Sequence, residues 1–87
     1  MKIILSKKFE KQVAKLPVSI KKILANKLCI FTEDRFSIIL NNHPLQGSWR
    51  GYRSINITGD YRLIFEPYDV DIVRLIDIDT HHNLYGS

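Results

Sequence analysis

The 87-residue sequence predicts a small α+β fold with the order β-α-α-β-β-β, in which a helical hairpin packs on a mainly antiparallel sheet. Two observations support this fold class. Apolar residues recur at helical spacing between residues 6 and 31, and from residue 49 onward short runs rich in aromatic and β-branched residues are separated by turn residues. Because a chain of this length buries one modest core, we expect residues 1–87 to form a single domain.

The N-terminal part of the chain predicts one strand and two helices. Lys2–Leu5 is short and contains two isoleucines, which favours a strand, and Ser6 is suited to cap the helix that follows. Pro17 ends this first helix and is compatible with an early position in the second. The apolar faces of the two helices consist of Phe9, Val13, Leu16, Ile20, Ile23, Leu24, Leu28 and Phe31.

The remainder of the chain predicts a loop and a three-stranded meander. The loop contains Pro44, which pushes the preceding His43 towards an extended backbone. Because the turns between the strands are short, successive strands should be antiparallel. We expect the loop at 41–47, strands at 49–57, 61–66 and 70–78, turns at 58–60 and 67–69, and a polar and aromatic tail at 80–87.

The net charge of +4 is distributed unevenly along the chain. Residues 1–36 carry nine Lys or Arg and three acids, and residues 37–65 carry three Arg and one Asp. Residues 66–87 reverse the sign, with one Arg and five acids. A basic front with an acidic end suggests a protein that meets a polyanion on one side, although solvated helix faces explain the same distribution equally well.

Several classes of protein are disfavoured by what the sequence lacks. No apolar run is long enough to span a membrane and the first six residues are too short for a secretory signal, so we expect a cytoplasmic protein with no membrane partner. Cys29 is the only cysteine, which excludes an internal disulfide, and we expect it to pack within the second helix. No phosphate-binding loop, dinucleotide fingerprint or zinc-finger spacing occurs, and we expect no cofactor.

Three histidines, an aspartate and an arginine fall near the ends of the predicted strands. They are His43 before the meander, Asp60 and Arg62 at the start of its middle strand, and His81 and His82 after its last strand. Residues two apart on a regular strand share a face, so Asp60 and Arg62 are expected on one side. Such a set is able to cleave RNA: one group takes the proton of the ribose 2′-OH, another protonates the departing 5′-oxygen, and Arg62 balances charge in the transition state.

Ordinary structural roles explain the same residues. A histidine before a proline, such as His43, is more often a solvated turn residue, while Asp60 is able to bond its own backbone and Arg62 to serve as a simple strand cation. The two adjacent histidines point in different directions, so at most one faces a given site. Tyr85 either stacks on a base or covers the end of the core. The paired spacings of metal-binding histidines are missing, which makes metal catalysis a weak alternative.

Three runs of sequence together match one known family. They are His43–Arg53 (HPLQGSWRGYR), Gly59–Phe65 (GDYRLIF) and Asp79–Tyr85 (DTHHNLY), with a Lys-Leu-Pro junction between the helices. In combination they resemble the RelE/ParE toxin superfamily, and within it the YafQ-like toxins. The resemblance extends over nearly the whole chain.

The resemblance implies a toxin of a type II toxin–antitoxin pair. Such toxins enter the ribosomal A site and cut the mRNA there without a metal, by attack of the ribose 2′-OH. The implied partners are a cognate antitoxin and the ribosome with its message, and operator DNA is contacted only through the antitoxin complex. ParE-like members inhibit DNA gyrase without catalysis, which is the alternative function, although such an inhibitor has no need of the histidine set.

The resemblance also implies roles for individual residues. His43 matches a histidine of the His-Pro-Leu loop, Asp60 matches an aspartate ahead of the middle strand, and His81 matches a histidine of the final Thr-His segment. Tyr85 matches an aromatic residue four positions after that histidine. Arg62 matches an arginine with which RelE-like relatives steady the transition state.

One position departs from the YafQ-like pattern. Asn56 stands where these toxins carry a further histidine, and an amide forms hydrogen bonds but exchanges no proton near neutral pH. We therefore expect Asn56, together with Arg50 and Arg53, to contact RNA. The acid and base roles then remain with the other matched histidines and the aspartate.

Overall fold

The computed structural model describes residues 1–85 and confirms the α+β class, with a helical hairpin on a mainly antiparallel sheet. The elements are β1 (Lys2–Leu5), α1 (Lys7–Ala14), α2 (Val18–Glu33), β2 (His43–Pro44), β3 (Arg53–Asn56), β4 (Tyr61–Asp69), β5 (Ile72–Thr80) and α3 (His81–Tyr85), with 3-10 turns at Ile38–Leu40 and Gly47–Trp49. His43–Pro44 was predicted to be loop but pairs with β3 as strand β2, and His81–Tyr85, predicted only as part of a polar and aromatic tail, forms helix α3. Among residues 1–85, no helix combines the length and apolar character that crossing a bilayer requires.

The sheet has the strand order β1-β5-β4-β3-β2, with β1 parallel to β5 and the other neighbours antiparallel. Strand β4 is therefore central. Its consecutive residues Leu63, Ile64 and Phe65 are all buried, as expected where a strand is covered on both faces. Ile64 lies outside the main core cluster, so the sheet face opposite that core is also covered at its centre.

The main core lies between the first two helices and one face of the sheet. Phe9 of α1 and Leu24 and Phe31 of α2 pack against residues of the sheet and its loops, namely Leu40, Ile55, Ile57, Leu63, Phe65, Val73, Leu75 and Ile78. The rings of Phe31 and Phe65 meet edge to face with their centroids 5.0 Å apart. This contact joins α2 to the central strand.

Helix α1 covers the edge of β5 that β1 leaves open. The hydroxyl of Ser6 caps α1, as predicted, and also donates to a carbonyl of β5 at 3.1 Å. The side-chain oxygen of Gln12 accepts from the backbone N–H of Ile78 at 3.0 Å, in the place of a neighbouring strand. The amide nitrogen of Gln12 and the ammonium of Lys8 both donate to the buried carboxylate of Asp77. These polar contacts hold α1 against β5.

The first meander strand is shorter than predicted. The strand expected from Trp49 begins only at Arg53, and Trp49 lies instead in a 3-10 turn. Gly47 and Gly51 adopt positive φ angles of 65° and 96°, which glycine tolerates and which turn the chain on both sides of the tryptophan. The rings of Trp49 and Tyr52 consequently meet edge to face, with centroids 5.7 Å apart.

The second predicted turn is displaced along the chain. Residues 67–69 continue β4, and the chain reverses at Val70 and Asp71. Proline lacks the N–H that a regular ladder needs, and Pro67 lies where the register between β4 and β5 shifts. The irregular pairing accommodates Pro67, so the strand does not end there.

Two residues of α2 are more exposed than the sequence predicted. Cys29 was expected to pack in the helix interface but is exposed, because its neighbours Leu28 and Phe31 occupy the inward face. Ile23, on the predicted apolar face, is 36% exposed. The face of α2 that contacts the sheet is therefore narrower than the apolar pattern suggested.

Candidate active site

A row of polar side chains crosses the sheet on the face opposite the main core. Strand pairing aligns Asn56, Arg62 and Asp79 side by side on β3, β4 and β5. The next set of paired residues along these three strands belongs to the main core. Because side chains alternate between the two faces of a sheet, the polar row points away from that core. His43 is paired with Ser54, two residues before Asn56, and therefore belongs to the same face.

The turn before β4 is joined directly to the start of α3. The hydroxyl of Thr58 accepts from the backbone N–H groups of Asp60 and Tyr61 at 3.2 and 3.0 Å, which fixes the turn. The carbonyl of Asp60 accepts from the N–H of His81 at 2.8 Å. This bond places the predicted aspartate and histidine next to each other.

The side chain of Arg62 folds back over this turn. Its Nη1 donates to the carbonyls of Thr58, Gly59 and Tyr61 at 2.8, 3.1 and 3.2 Å. The guanidinium charge is thus fixed at the turn that carries Asp60. Sequence spacing predicted a shared strand face for the two residues, whereas the structure brings them together through the turn itself.

Helix α3 holds His81 and Tyr85 one turn apart. Their rings meet with centroids 4.7 Å apart at an angle of 63°. The side chains of Asp79 and Thr80 accept from the amide and backbone N–H groups of Asn83 at 3.0 and 3.2 Å, which stabilises this short helix. Tyr85 is half-buried, and its hydroxyl has no hydrogen-bond partner within residues 1–85. His82 follows one position further round the helix and is exposed.

His43 approaches from the opposite edge of the sheet. Strand β2 is three strands from β5, which corresponds to roughly 14 Å between backbones. The Nδ1 atom of the half-buried His43 ring lies 2.7 Å from the carbonyl oxygen of Asn41. The structure thus collects Asp60, Arg62, His81 and Tyr85 at one corner and places His43 across the face from them.

The residues predicted to bind RNA occupy three different environments. Arg50 is exposed beside the 3-10 turn, whereas Arg53 donates from Nε to the side chain of Asn42 at 2.7 Å and stacks on the ring of Phe36. The side-chain oxygen of Asn56 is buried, and none of the described residues donates to it. RNA contact by these three residues stays a prediction.

Two features of the site were missed by the sequence reasoning. The hydroxyl of Ser54 is fully buried and lacks a partner in the described part of the chain, and it lies on the site face beside His43. Its position two residues before Asn56 could have indicated this, because side chains two residues apart on a strand lie on the same face of the sheet. The second feature is Asn41, which contacts the His43 ring and has a left-handed backbone. The Asn-Asn pair before the histidine could have indicated this conformation, since asparagine tolerates it.

A basic groove extends from α1 towards this face. A groove of about 320 Å³ is lined by Lys8, Lys11, Gln12 and Lys15. A second groove of about 240 Å³ shares Gln12 and Lys15 with the first and reaches Tyr61 and Asp79 of the sheet. Lys15 is common to both grooves, and the second groove reaches Asp79 of the polar row, while Lys8 is paired with the carboxylate of Asp77. Within residues 1–85, no three His, Cys, Asp or Glu side chains are grouped as metal ligands would be.

Comparisons with known proteins point to one group. A family model described as "Bacterial toxin of type II toxin-antitoxin system, YafQ" matches residues 1–86. The mRNA interferase toxin YafQ of Escherichia coli K12 is 40% identical over 48 residues, which are 55% of this chain and only 51% of that relative's length. The crystal structure of YafQ from E. coli BL21(DE3) is 28% identical with a TM-score of 0.70 and 97% coverage of both chains. YafQ in the E. coli DinJ–YafQ complex is 29% identical with a TM-score of 0.68, again at 97% coverage of both.

Proposed function

Since the chain belongs to the YafQ family of bacterial type II toxins, we propose that it is an endoribonuclease that cuts mRNA on the ribosome and so inhibits translation. The observation that carries this proposal is the corner formed by the turn before β4 and helix α3. There the Asp60 carbonyl binds the His81 N–H, Arg62 is held over the same turn, and Tyr85 contacts the His81 ring. The name of the E. coli relative, mRNA interferase toxin, agrees with this reaction. Residues 1–87 act as one domain.

The reaction is an in-line attack within the RNA strand. A base, His43 or Asp60, takes the proton of the ribose 2′-OH, and the 2′-oxygen forms a bond to the adjacent phosphorus. The bond between phosphorus and the 5′-oxygen breaks as His81 protonates that oxygen. The products are a 2′,3′-cyclic phosphate and a free 5′-hydroxyl. No metal enters these steps.

The other site residues position the strand and balance charge. In this proposal Arg62 balances the extra negative charge of the five-coordinate phosphorus. Tyr85 stacks on the base of the cut nucleotide, which fixes the scissile phosphate against the neighbouring His81. Arg50, Arg53 and Asn56 bind the strand beside it, and the lysines of the α1 groove face ribosomal RNA.

Control of the toxin falls to an antitoxin protein. The E. coli YafQ structure with DinJ is the precedent for such a partner. An acidic antitoxin segment would complement the lysine-lined groove of α1 and associate rapidly. We propose that it covers this groove or displaces the C-terminal segment from Asn83 onward, of which Gly86 and Ser87 lie outside the described residues. Operator DNA is bound only through the toxin–antitoxin complex, and the toxin acts in the cytoplasm.

Cleavage is expected to need the ribosome and no added transition metal. A domain this small has little surface with which to bend RNA, so the ribosome supplies a strand already arranged for attack. Purified ribosomes assembled on a defined message, at constant magnesium, should support cleavage at least about 10²-fold faster than the same RNA alone. Primer extension on the message measures both rates, with and without added zinc or manganese.

Each control in this experiment addresses one part of the proposal. Efficient cutting of naked RNA would contradict the need for the ribosome. Strong stimulation by zinc or manganese would indicate that the histidines and carboxylates bind a metal. The cognate antitoxin should suppress the cleavage. Inhibition of DNA gyrase without any RNA cleavage would favour the ParE-like alternative.

Replacing Arg62 with lysine should lower cleavage by about 10–10²-fold although the charge is kept. Arginine has enough donors to hold the turn carbonyls and still face a phosphate, whereas one ammonium cannot do both. Single-turnover cleavage on programmed ribosomes measures the loss, and circular dichroism checks the fold. Arg74→Lys on β5, outside the site, is the matched control and should remain active; equal losses in both variants would remove the special role of Arg62.

A further inference from the structure

The loop before β2 contains a residue with a left-handed backbone, Asn41. Asn41 has φ 49° and ψ 49°, and it has the only left-handed backbone among the non-glycine residues of the described chain. This conformation is uncommon for residues other than glycine, asparagine and aspartate, because the Cβ atom crowds the backbone. Such a conformation persists only where the surrounding structure enforces it.

Both neighbours of Asn41 are anchored. Leu40 is fully buried in the main core. Asn42 donates to the carbonyl of Arg35 at 2.9 Å and accepts from the Nε of Arg53 at 2.7 Å. The N–H of Asn41 itself donates to the carbonyl of Ile38 at 3.2 Å. The orientation of the Asn41 carbonyl is therefore set by contacts on both sides.

That carbonyl meets the ring of His43. The distance from its oxygen to the Nδ1 atom is 2.7 Å, which is a hydrogen bond. A carbonyl oxygen only accepts, so Nδ1 must carry the proton. In a neutral imidazole the other nitrogen, Nε2, then has a free lone pair and is able to accept a proton.

We propose that Asn41 is a positioning residue that holds His43 in the Nδ1–H tautomer, so that Nε2 acts as the base towards the ribose 2′-OH. This inference rests on the proposed RNA cleavage and chooses His43 over Asp60 as the base. Asn41 acts through its backbone, because the contact to the ring comes from its carbonyl. The identity of the side chain matters only through the left-handed conformation that it permits.

Substitutions that differ in their tolerance of this conformation test the inference. Asn41→Gly adopts positive φ readily and should keep both the tautomer and the cleavage rate within about twofold of the wild type. Asn41→Val is β-branched and resists the conformation, so it should shift His43 towards the Nε2–H tautomer and lower cleavage about tenfold, part of the contribution of a general base. Asn41→Asp should behave as the glycine variant does.

Two readouts keep the outcomes distinct. Long-range proton–nitrogen NMR of ¹⁵N-histidine-labelled protein near pH 8.5, above the ordinary imidazole range, reports which ring nitrogen carries the proton. It needs no ribosome, so it tests the tautomer even if the proposed function is wrong, and amide dispersion in the same sample shows that each variant is folded. An Nε2–H tautomer in the wild type, or an unchanged tautomer in folded Asn41→Val, would overturn the inference. A shifted tautomer with undiminished cleavage would also overturn it, because His43 would then not be the base.

Discussion

Replacing His81 with alanine should lower the rate of message cleavage on the ribosome by about 10²–10⁴-fold, the usual contribution of a positioned acid–base group. The imidazole lies at the start of α3, whose first N–H is bound by the Asp60 carbonyl at 2.8 Å, and its ring contacts Tyr85. These contacts restrict where the ring can lie relative to a base stacked on the tyrosine. In the proposed mechanism, loss of the ring removes the proton donor for the 5′-oxygen.

A modified message identifies the step in which His81 acts. When sulfur replaces the leaving 5′-oxygen, the leaving group departs without protonation, so His81→Ala should regain most of its lost rate. His43→Ala, which removes the proposed base, should remain slow on the same message. Single-turnover cleavage of the two messages by each variant gives the comparison.

The adjacent histidine provides a matched control. His82 is exposed on α3 next to His81, and His82→Ala should cleave at close to the wild-type rate. Full activity of His81→Ala on ordinary message would remove this residue from the mechanism. Equal rescue of His43→Ala and His81→Ala by sulfur would instead contradict the assignment of His81 as the acid and His43 as the base.

Replacing Phe31 with alanine should lower the free energy of unfolding by about 3–5 kcal/mol. The side chain is fully buried in α2 and meets the ring of Phe65 edge to face, so its removal leaves a cavity between the helix and the central strand. A domain of 87 residues has a total stability of roughly 4–13 kcal/mol, so this loss is a large share of it. Urea unfolding followed by circular dichroism measures the change.

Phe36 provides the control for this substitution. Phe36 is 63% exposed, and the guanidinium groups of Arg35 and Arg53 lie over its ring, so Phe36→Ala should cost less than about 1 kcal/mol. Similar losses for both variants would mean that the Phe31–Phe65 contact does not hold α2 on the sheet. A loss below about 1 kcal/mol for Phe31→Ala would contradict the burial seen in the structure.

The sequence by itself determined the features that depend on near neighbours in the chain. Ser6 caps α1 because its hydroxyl reaches the N–H of Phe9, three residues on. Pro17 separates the two helices because its ring fixes the backbone there. The extended backbone of His43 follows from the proline after it. Such local rules also identified His81 at the end of the last strand.

The tertiary structure alone decided which distant groups meet. Strand register determines both the hydrogen bond between Asp60 and His81 and the contact of Gln12 with the open edge of β5. A shift of one residue in the register would break these contacts. The same holds for the turn after Pro67, where irregular pairing let β4 continue past a residue that locally favours a turn. Cys29 is exposed because packing, rather than its apolar character, selects the inward face of α2. Local patterns cannot specify these features, because each depends on residues brought close only when the sheet and helices assemble.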